Sequence, residues 1–351
     1  MSEALILGSG PAGLAAAACL RARGISATVL EAGDQPSHGW KLLDPEVTLL
    51  TPQALSRLPG MRFTPGRPTY LSLGCYAAEL DRYREQERVQ VECGVRALWV
   101  WRRYGRFEVE VLQGERTSIR SARWVIDASG GTTHPALPED APAAPPWPAL
   151  HTRDVRADDL AQARSLLVVG CGTSARETVE TYLRVRPSGG EVTLAARSAP
   201  RAVPRHVLGV DSHYLVWPFE FWPGHWPGPH RGWARDPALG LGLARALRRG
   251  SLRDLGAITR YGETVRGEHG ALQPDLVVYA TGYRHAAPHL GELVSRDGRG
   301  EPALTRAAAP GVPGLYVLGV RYGRSLASSF LRGIARDARA VARRIASEAG
   351  R

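Results

Sequence analysis

The sequence predicts an α/β protein built on parallel sheets, and three observations predict it. Short apolar runs at Ala4–Leu7, Val125–Ala128, Leu166–Val169, Leu276–Tyr279 and Leu315–Leu318 each stop at or near a glycine, as strands buried on both faces do. Helical patterns follow several of them. Twice a glycine-rich turn joins such a strand to such a helix, and strands alternating with helices give parallel sheets.

The first turn is Gly8-Ser9-Gly10-Pro11-Ala12-Gly13, a G-x-G-x-x-G between the strand at Ala4–Leu7 and an Ala/Leu-rich helix over Ala12–Arg23 that Gly24 stops. A second strand, Thr28–Glu31, ends in an acid 23 residues after Gly8. Gly8 permits the tight turn, Gly10 lets backbone approach a pyrophosphate, and Gly13 lets the helix press on the strand. The helix N-terminus offers unpaired N–H groups and a positive dipole end to phosphates, and Glu31 can accept from ribose hydroxyls. The whole strand–loop–helix–strand–acid unit predicts a dinucleotide site.

Between Pro135 and Pro148 the chain is rich in Pro and Ala, the mark of an exposed connection and a domain boundary. The second turn follows at Gly170-Cys171-Gly172-Thr173-Ser174-Ala175, with alanine in the third position. Its helix (Arg176–Arg184) leads to a strand at Glu191–Ala195, after which Arg197 stands where the first unit has its acid. A guanidinium there suits a ribose 2′-phosphate and an acid would repel it, so the first site reads FAD or NAD and the second reads NADP. Two dinucleotides in one chain imply electron transfer, most simply from a nicotinamide to a flavin.

The stretch Trp217–Trp233 is crowded with prolines and aromatics, and predicts an ordered, loop-rich insertion without regular helix or strand. At the end, Phe330, Ile334, Ala338, Val341 and Ile345 recur at helical spacing, with Arg332, Arg336, Arg339 and Arg343 on the other face. Together these elements give two Rossmann-like domains. An FAD domain is built from 1–150 and 284–351, with an NADPH domain over 160–283, carrying a Trp/Pro-rich insertion at 200–255, placed between its halves.

Composition excludes several classes. With 351 residues, 44% of them hydrophobic and 23% charged, the chain is neither disordered nor fibrous. No apolar run reaches the roughly 20 residues of a membrane helix, and the N-terminus lacks a signal-peptide pattern, so a cytoplasmic location is expected. Four scattered cysteines without C-x-x-C argue against a disulfide framework, a zinc knuckle and a dithiol relay. The net charge of +11 comes from arginines spread along the chain, with Lys41 the only lysine, so no nucleic-acid stripe forms. The histidine pairs His206/His213 and His225/His230 lack metal-ligand spacing, and no metal is expected. Cys171 reads as a small filler, and Asp275 as a turn acid.

The ordered set G-S-G-P-A-G, E-A-G-D, G-C-G-T-S-A, A-A-R-S and Y-A-T-G-Y (Tyr279–Tyr283) resembles the flavin-containing monooxygenase family over nearly the whole chain. Val203–Val210 and Leu255–Ile258 resemble its plant indole-pyruvate-oxidising branch and bacterial relatives. The family's F-x-G-x-x-x-H fingerprint survives only in part around His151, and an asparagine of some members has no counterpart beside Pro52. The resemblance implies FAD and NADPH as cofactors. FAD would be held by Gly8, Ser9, Gly10, Pro11, Ala12, Gly13, Glu31, Trp40, Thr51, Val95, Ala128 and Gly319. NADP would be held by Gly170, Gly172, Thr173, Ser174, Ala175, Arg197, Ala280, Thr281 and Gly282. It also implies oxygenation of a small organic substrate at N, S or a carbonyl carbon through a flavin C4a-(hydro)peroxide, chemistry that needs no Ser/His/Asp catalytic set. The expected partners are that substrate and O2, in a chain acting alone or as a homodimer, without nucleic acid or membrane. Two alternatives remain at this point: an NADPH reductase or oxidase serving an external acceptor, and a non-catalytic sensor of FAD and NADP.

Overall fold

The structure is a computed structural model that describes residues 2–131, 134–186, 188–200, 202–221, 238–240, 242–298 and 300–350. These residues fall into two compact units. The first gathers the described residues of Met1–His134, Val216–Trp226 and Arg284–Arg351, and the second those of Pro135–Leu215 and Pro227–Tyr283.

In the first unit β1 (Ala4–Leu7) runs into α1 (Pro11–Arg21) and β2 (Ala27–Glu31). After α2 (His38–Lys41) and α3 (Leu73–Gln86) come β3 (Val91–Cys93) and an antiparallel meander of β4 (Val95–Arg103), β5 (Arg106–Gln113) and β6 (Arg116–Ala122). β7 (Trp124–Asp127) returns beside β1 in parallel register, Leu7 facing Asp127. The meander did not emerge from the sequence reading. Its period is nonetheless written in β5, where Phe107, Val109 and Val111 are buried between Glu108 and Glu110, and the β4–β5 turn is Tyr104-Gly105, both at positive φ.

The second unit repeats the plan. β8 (Ala149–His151) and α4 (Ala157–Gln162) precede β9 (Ser165–Val169), α5 (Thr173–Val185) and β10 (Glu191–Ala195). After the start of α6 (Ser212–Glu220), whose residues from Val216 on belong to the first unit, and α7 (Gly242–Arg248) follow β11 (Arg253–Gly256) and β12 (Leu276–Tyr279). The sheet order is β11-β10-β9-β12-β8, all parallel. The unit begins at Pro135 because β8 is an edge strand of this sheet, which draws in the Pro/Ala-rich stretch; Trp147 there is buried, its indole N–H donating to the Gly262 carbonyl (2.9 Å). Asp275 is the turn acid anticipated, accepting from the N–H groups of Arg164 and Ser165, both at 3.0 Å.

The chain then completes the first sheet with β13 (Leu315–Val317) and α8 (Leu331–Ala349), giving the order β13-β7-β1-β2-β3. Ala4 and Ile6 face the core that α1 and α8 cover, while Leu5 and Leu7 face the core shared with the meander. Both faces of β1 are therefore buried, which is why its sequence is continuously apolar.

One expectation is corrected. Pro218 does not prevent a helix, for α6 carries it inside its nine residues, at the cost of the hydrogen bond a residue there would donate to the Tyr214 carbonyl. Residues 222–233 of that stretch lie outside the described residues. On the arginine face of α8 the Arg332 side chain is buried against Glu220 in a bidentate ion pair and donates to the Thr51 hydroxyl at 3.3 Å. A buried guanidinium demands such a partner, and the helical period alone does not reveal one brought from elsewhere in the chain.

Candidate functional site

Each parallel sheet carries one glycine loop beyond the carboxyl end of its central strand, between two strands that lead off in opposite directions. That is where open α/β sheets bind ligands. In the first loop Gly8 has φ +102°, and a Cβ there would lie 2.5 Å from the Ala128 carbonyl oxygen. At Gly13 a Cβ would meet the Gly8 carbonyl oxygen at 1.9 Å, so helix and loop touch backbone to backbone. Gly10 differs, since its missing Cβ would face only the Trp40 indole at 3.8 Å. The vacant volume over Gly10 is a cradle that a side chain would fill. It sits at an α1 N-terminus with no side-chain cap and no acid in its first turn, which fits a pyrophosphate.

The surroundings are held firmly. Glu31 accepts from the N–H and hydroxyl of Ser9 and from the N–H of Gly33. Ser9 is fully buried and its hydroxyl also accepts from the Ser37 N–H at 2.7 Å. Trp40 rests on the Tyr76 ring, centroids 5.2 Å apart. Gly319, at φ +77°, lies over the start of α1, where its Cβ would touch that of Ala12 at 3.4 Å. Ala128 contributes its carbonyl at Gly8, and Thr51 meets Arg332. The structure brings Ser9, Gly10, Pro11, Ala12, Trp40, Ala128 and Gly319 to this loop. The Val95 side chain is not at the loop surface but in the core beneath the meander, so only its backbone is available to a ligand.

The second loop reproduces the first. Gly170 has φ +119° and its Cβ would lie 2.4 Å from the Ala280 carbonyl oxygen. The Gly170 N–H donates to the Ala195 carbonyl at 2.8 Å, as that of Gly8 donates to Leu30 at 2.8 Å. A Cβ at Gly172 would meet nothing within 4 Å, and α5 again starts uncapped with no acid in its first turn. Ala175 is fully buried in the core under α5. The linker after β12 is pinned: the Thr281 hydroxyl donates to the Ala136 carbonyl, and the Gly282 carbonyl accepts from the Ala136 N–H (2.9 Å) and from His151 Nε2 (3.0 Å). Burial pushes the His151 imidazole below its ordinary value, and its Nδ1 accepts from the Arg153 N–H, which fixes the neutral tautomer with hydrogen on Nε2. Beside the loop, burial pushes the Glu177 carboxyl up to about 7 against the opposing pull of Arg176. At the end of β10 a cavity of about 240 Å³ opens, bordered by Arg197 and Ser198 and, from the other side, by Asp254, Glu268 and His269.

Sequence reasoning missed one buried cluster. Asp127, the last residue of β7, is fully buried; one carboxylate oxygen lies 3.3 Å from His285 Nε2 and the other 3.2 Å from His289 Nε2. Burial alone would raise this carboxyl, but the contacts with His285 and His289 hold it well below the usual carboxylate range. Asp127 also accepts from the Ser129 N–H at 3.1 Å, and so shapes the turn that meets Gly8. No spacing rule connects Asp127 with histidines so far along the chain. Among the described residues no group of three or more His, Cys, Asp or Glu side chains is arranged to hold a metal ion, and no helix is long and apolar enough to cross a membrane.

Two paired glycine loops, each on its own parallel sheet, define an oxidoreductase of the two-dinucleotide class. The chain belongs to the pyridine nucleotide-disulphide oxidoreductase family, whose model matches residues 5–209. Among curated proteins it is 28% identical to the indole-3-pyruvate monooxygenase YUCCA1 of Oryza sativa subsp. japonica, over 90% of this chain and 86% of that one. It is 25% identical to YUCCA4 of the same plant, over 82% and 75%. Among solved structures it is similar to a flavin-containing monooxygenase from Stenotrophomonas maltophilia, with a TM-score of 0.81, 24% identity, and 99% and 100% of the chains covered. It is also similar to a bacillithiol disulfide reductase from Bacillus cereus, with a TM-score of 0.73, 18% identity, and 99% of each chain covered.

Two outcomes follow from this geometry. Gly10→Val should fold with a near-native circular dichroism spectrum yet purify colourless, with FAD affinity down at least about a hundredfold, because its side chain enters only the vacant cradle. Asp127 is held below its unfolded value, so its contribution to stability is present at neutral pH and is lost as pH falls below about 4. Asp127→Asn should therefore lose about 3 kcal/mol at pH 7 in urea melts, a gap that narrows in acid.

Proposed function

We propose that this chain is a flavoprotein monooxygenase that takes electrons from NADPH and oxygenates a small organic substrate at N, S or a carbonyl carbon. The observation that carries the reading is the repeated loop: two cradles, each vacant over its middle glycine, with an acid after the second strand of one sheet and an arginine after the second strand of the other. The first unit would hold FAD through Gly8–Gly13, Glu31, Trp40, Thr51, Ala128 and Gly319. The second would hold NADPH through Gly170, Gly172, Thr173, Ser174, Ala175, Arg197 and the Ala280–Gly282 linker. When bound, the flavin supplies the centre that accepts hydride and reacts with O2. The chain's own part is to bind and orient. The uncapped α1 and α5 N-termini face phosphates, Glu31 meets ribose hydroxyls, and His151 fixes the Gly282 carbonyl.

Relatives that span most of the chain carry the name indole-3-pyruvate monooxygenase, which makes 2-oxo acids the first carbonyl substrates to try. A second reading, a reductase for an external acceptor, is favoured by the likeness to a disulfide reductase. The absence of a C-x-x-C pair leaves such a reductase without a thiol relay of its own.

The test is rapid mixing of NADPH-reduced protein with oxygenated buffer, followed by absorbance. A long-lived species spectrally distinct from both reduced and oxidised flavin supports the monooxygenase. Direct return to oxidised flavin with release of hydrogen peroxide supports the second reading. Separately, Arg197→Ala should raise KM for NADPH about tenfold to a hundredfold and leave KM for NADH within about twofold in steady-state assays.

A further inference from the structure

Asp127 closes β7 in the middle of the first sheet, between Leu7 of β1 and Val317 of β13. The residues after it turn at once toward the first cradle. Ala128 sets its carbonyl against Gly8. At the other end of the turn Gly131 packs on Gly319, where a Cβ would lie 3.3 Å from the Gly319 carbonyl oxygen. Gly8 touches α1 through Gly13 and Gly319 touches it through Ala12, so two walls of the cradle rest on this one turn. The turn is hung on the Asp127 side chain, which accepts from the Ser129 N–H two residues on, at 3.1 Å.

What holds that side chain comes from the returning chain. His289 Nε2 lies 3.2 Å from the same carboxylate oxygen that serves Ser129. A carboxylate only accepts, so Nε2 carries the hydrogen and donates it. His285 Nε2 stands 3.3 Å from the second oxygen, in ion-pair reach but without the alignment of a hydrogen bond. His289 itself has little freedom. It sits in a 3-10 turn over Pro288–Leu293, whose Leu290 is buried with Ala287 in the core under the meander. Gly291, at φ +49°, receives the edge of the Trp99 ring, to which a Cβ would come within 2.8 Å. Arg296 clamps the backbone just upstream, donating to the His285 carbonyl at 2.6 Å and to the Ala286 carbonyl. Because one oxygen serves both Ser129 and His289, a shift of the ring moves the acceptor that carries the turn. We propose that Asp127 and His289 are positioning residues for the first cofactor site: the ring fixes the carboxylate, the carboxylate fixes the Ser129 N–H, and the turn then holds Ala128 against Gly8 and Gly131 against Gly319. Asp127 is fully buried and acts only through that turn. This rests on the reading of the first loop as the FAD site.

The experiment uses the full chain, freed of flavin and titrated with FAD by flavin fluorescence, with folding checked by circular dichroism. His289→Leu should raise the Kd for FAD about fivefold to tenfold, as a charged hydrogen bond lost in part would do. His289→Gln, whose amide can donate to the same oxygen, should stay within about twofold of wild type. Asp127→Asn keeps an oxygen for Ser129 but presents an amide donor where the ring needs an acceptor, and should raise the Kd as well. Adding His289→Leu to it should then change the Kd less than about twofold, because the link is already cut. A merely structural role gives another pattern, in which the melting temperature falls while the Kd of the folded protein does not move. An unchanged Kd, an equal rise in the glutamine variant, or additive effects of the two substitutions overturns the proposal. Should the wild-type chain fail to bind FAD, the reading of the loop falls by itself. Amide hydrogen exchange at 128–131 in the same flavin-free chain then still decides the link. Faster exchange in His289→Leu but not in His289→Gln supports it, and unchanged exchange overturns it.

Discussion

The structure depends on one close approach made twice: a strand-end carbonyl set against a glycine that has no side chain to receive it. Ala128 does this at Gly8 and Ala280 does it at Gly170. Each contact fixes how near the neighbouring strand comes to the loop, and each is reinforced by hydrogen bonds that cross the sheet at the same height. The Ala128 N–H donates to the Leu7 carbonyl and the Ala280 N–H to the Val169 carbonyl, both at 2.8 Å. With the loop backbone pressed down at its first glycine, the second glycine is left facing open space and the helix starts with its N–H groups unused. The vacancy for phosphate is thus a consequence of crowding one turn earlier.

Around this repeated core the first unit is joined by charges that are buried and paired. Asp127 lies between two histidines beneath the turn that carries Ala128, and Arg332 holds Glu220 at the start of α8. Neither arrangement is worth much as a source of net stability, because each carboxylate loses its hydration. What each does is make the alternatives expensive, since moving its partners away leaves a buried carboxylate charged and dry. The turn at 127–131 and the end of α6 are held in place in this way, although α6 leaves Leu215, Val216, Trp217 and Phe219 exposed.

The sequence was most legible where structure is local. Both glycine loops, the five apolar strands and the amphipathic α8 are each specified within about twenty residues, and the structure has them at those positions. The meander was legible in principle, through the alternation in Phe107–Val111, but is easily overlooked beside stronger motifs. The Asp127 cluster could not be read, because its partners lie beyond the whole second unit and are unremarkable histidines until the chain folds back. The partner of Arg332 is hidden for the same reason: helical spacing gives a face but not what arrives to cover it. Pro218 shows the converse, because a proline inside a helix costs a hydrogen bond without forbidding the helix.

The return of the chain after residue 283 also bears on the order in which the protein can be made. β13 and α8 are translated after every strand of the second sheet, yet they supply an edge strand of the first sheet and the helix that packs on α1. The second sheet has all five of its strands once Tyr279 has emerged, and can close on the ribosome. The first must wait, with the Ala-rich face of α1 uncovered, until α8 has emerged. The unit that begins the sequence is therefore the later to finish folding, and during synthesis it is the one exposed to chaperones and to aggregation.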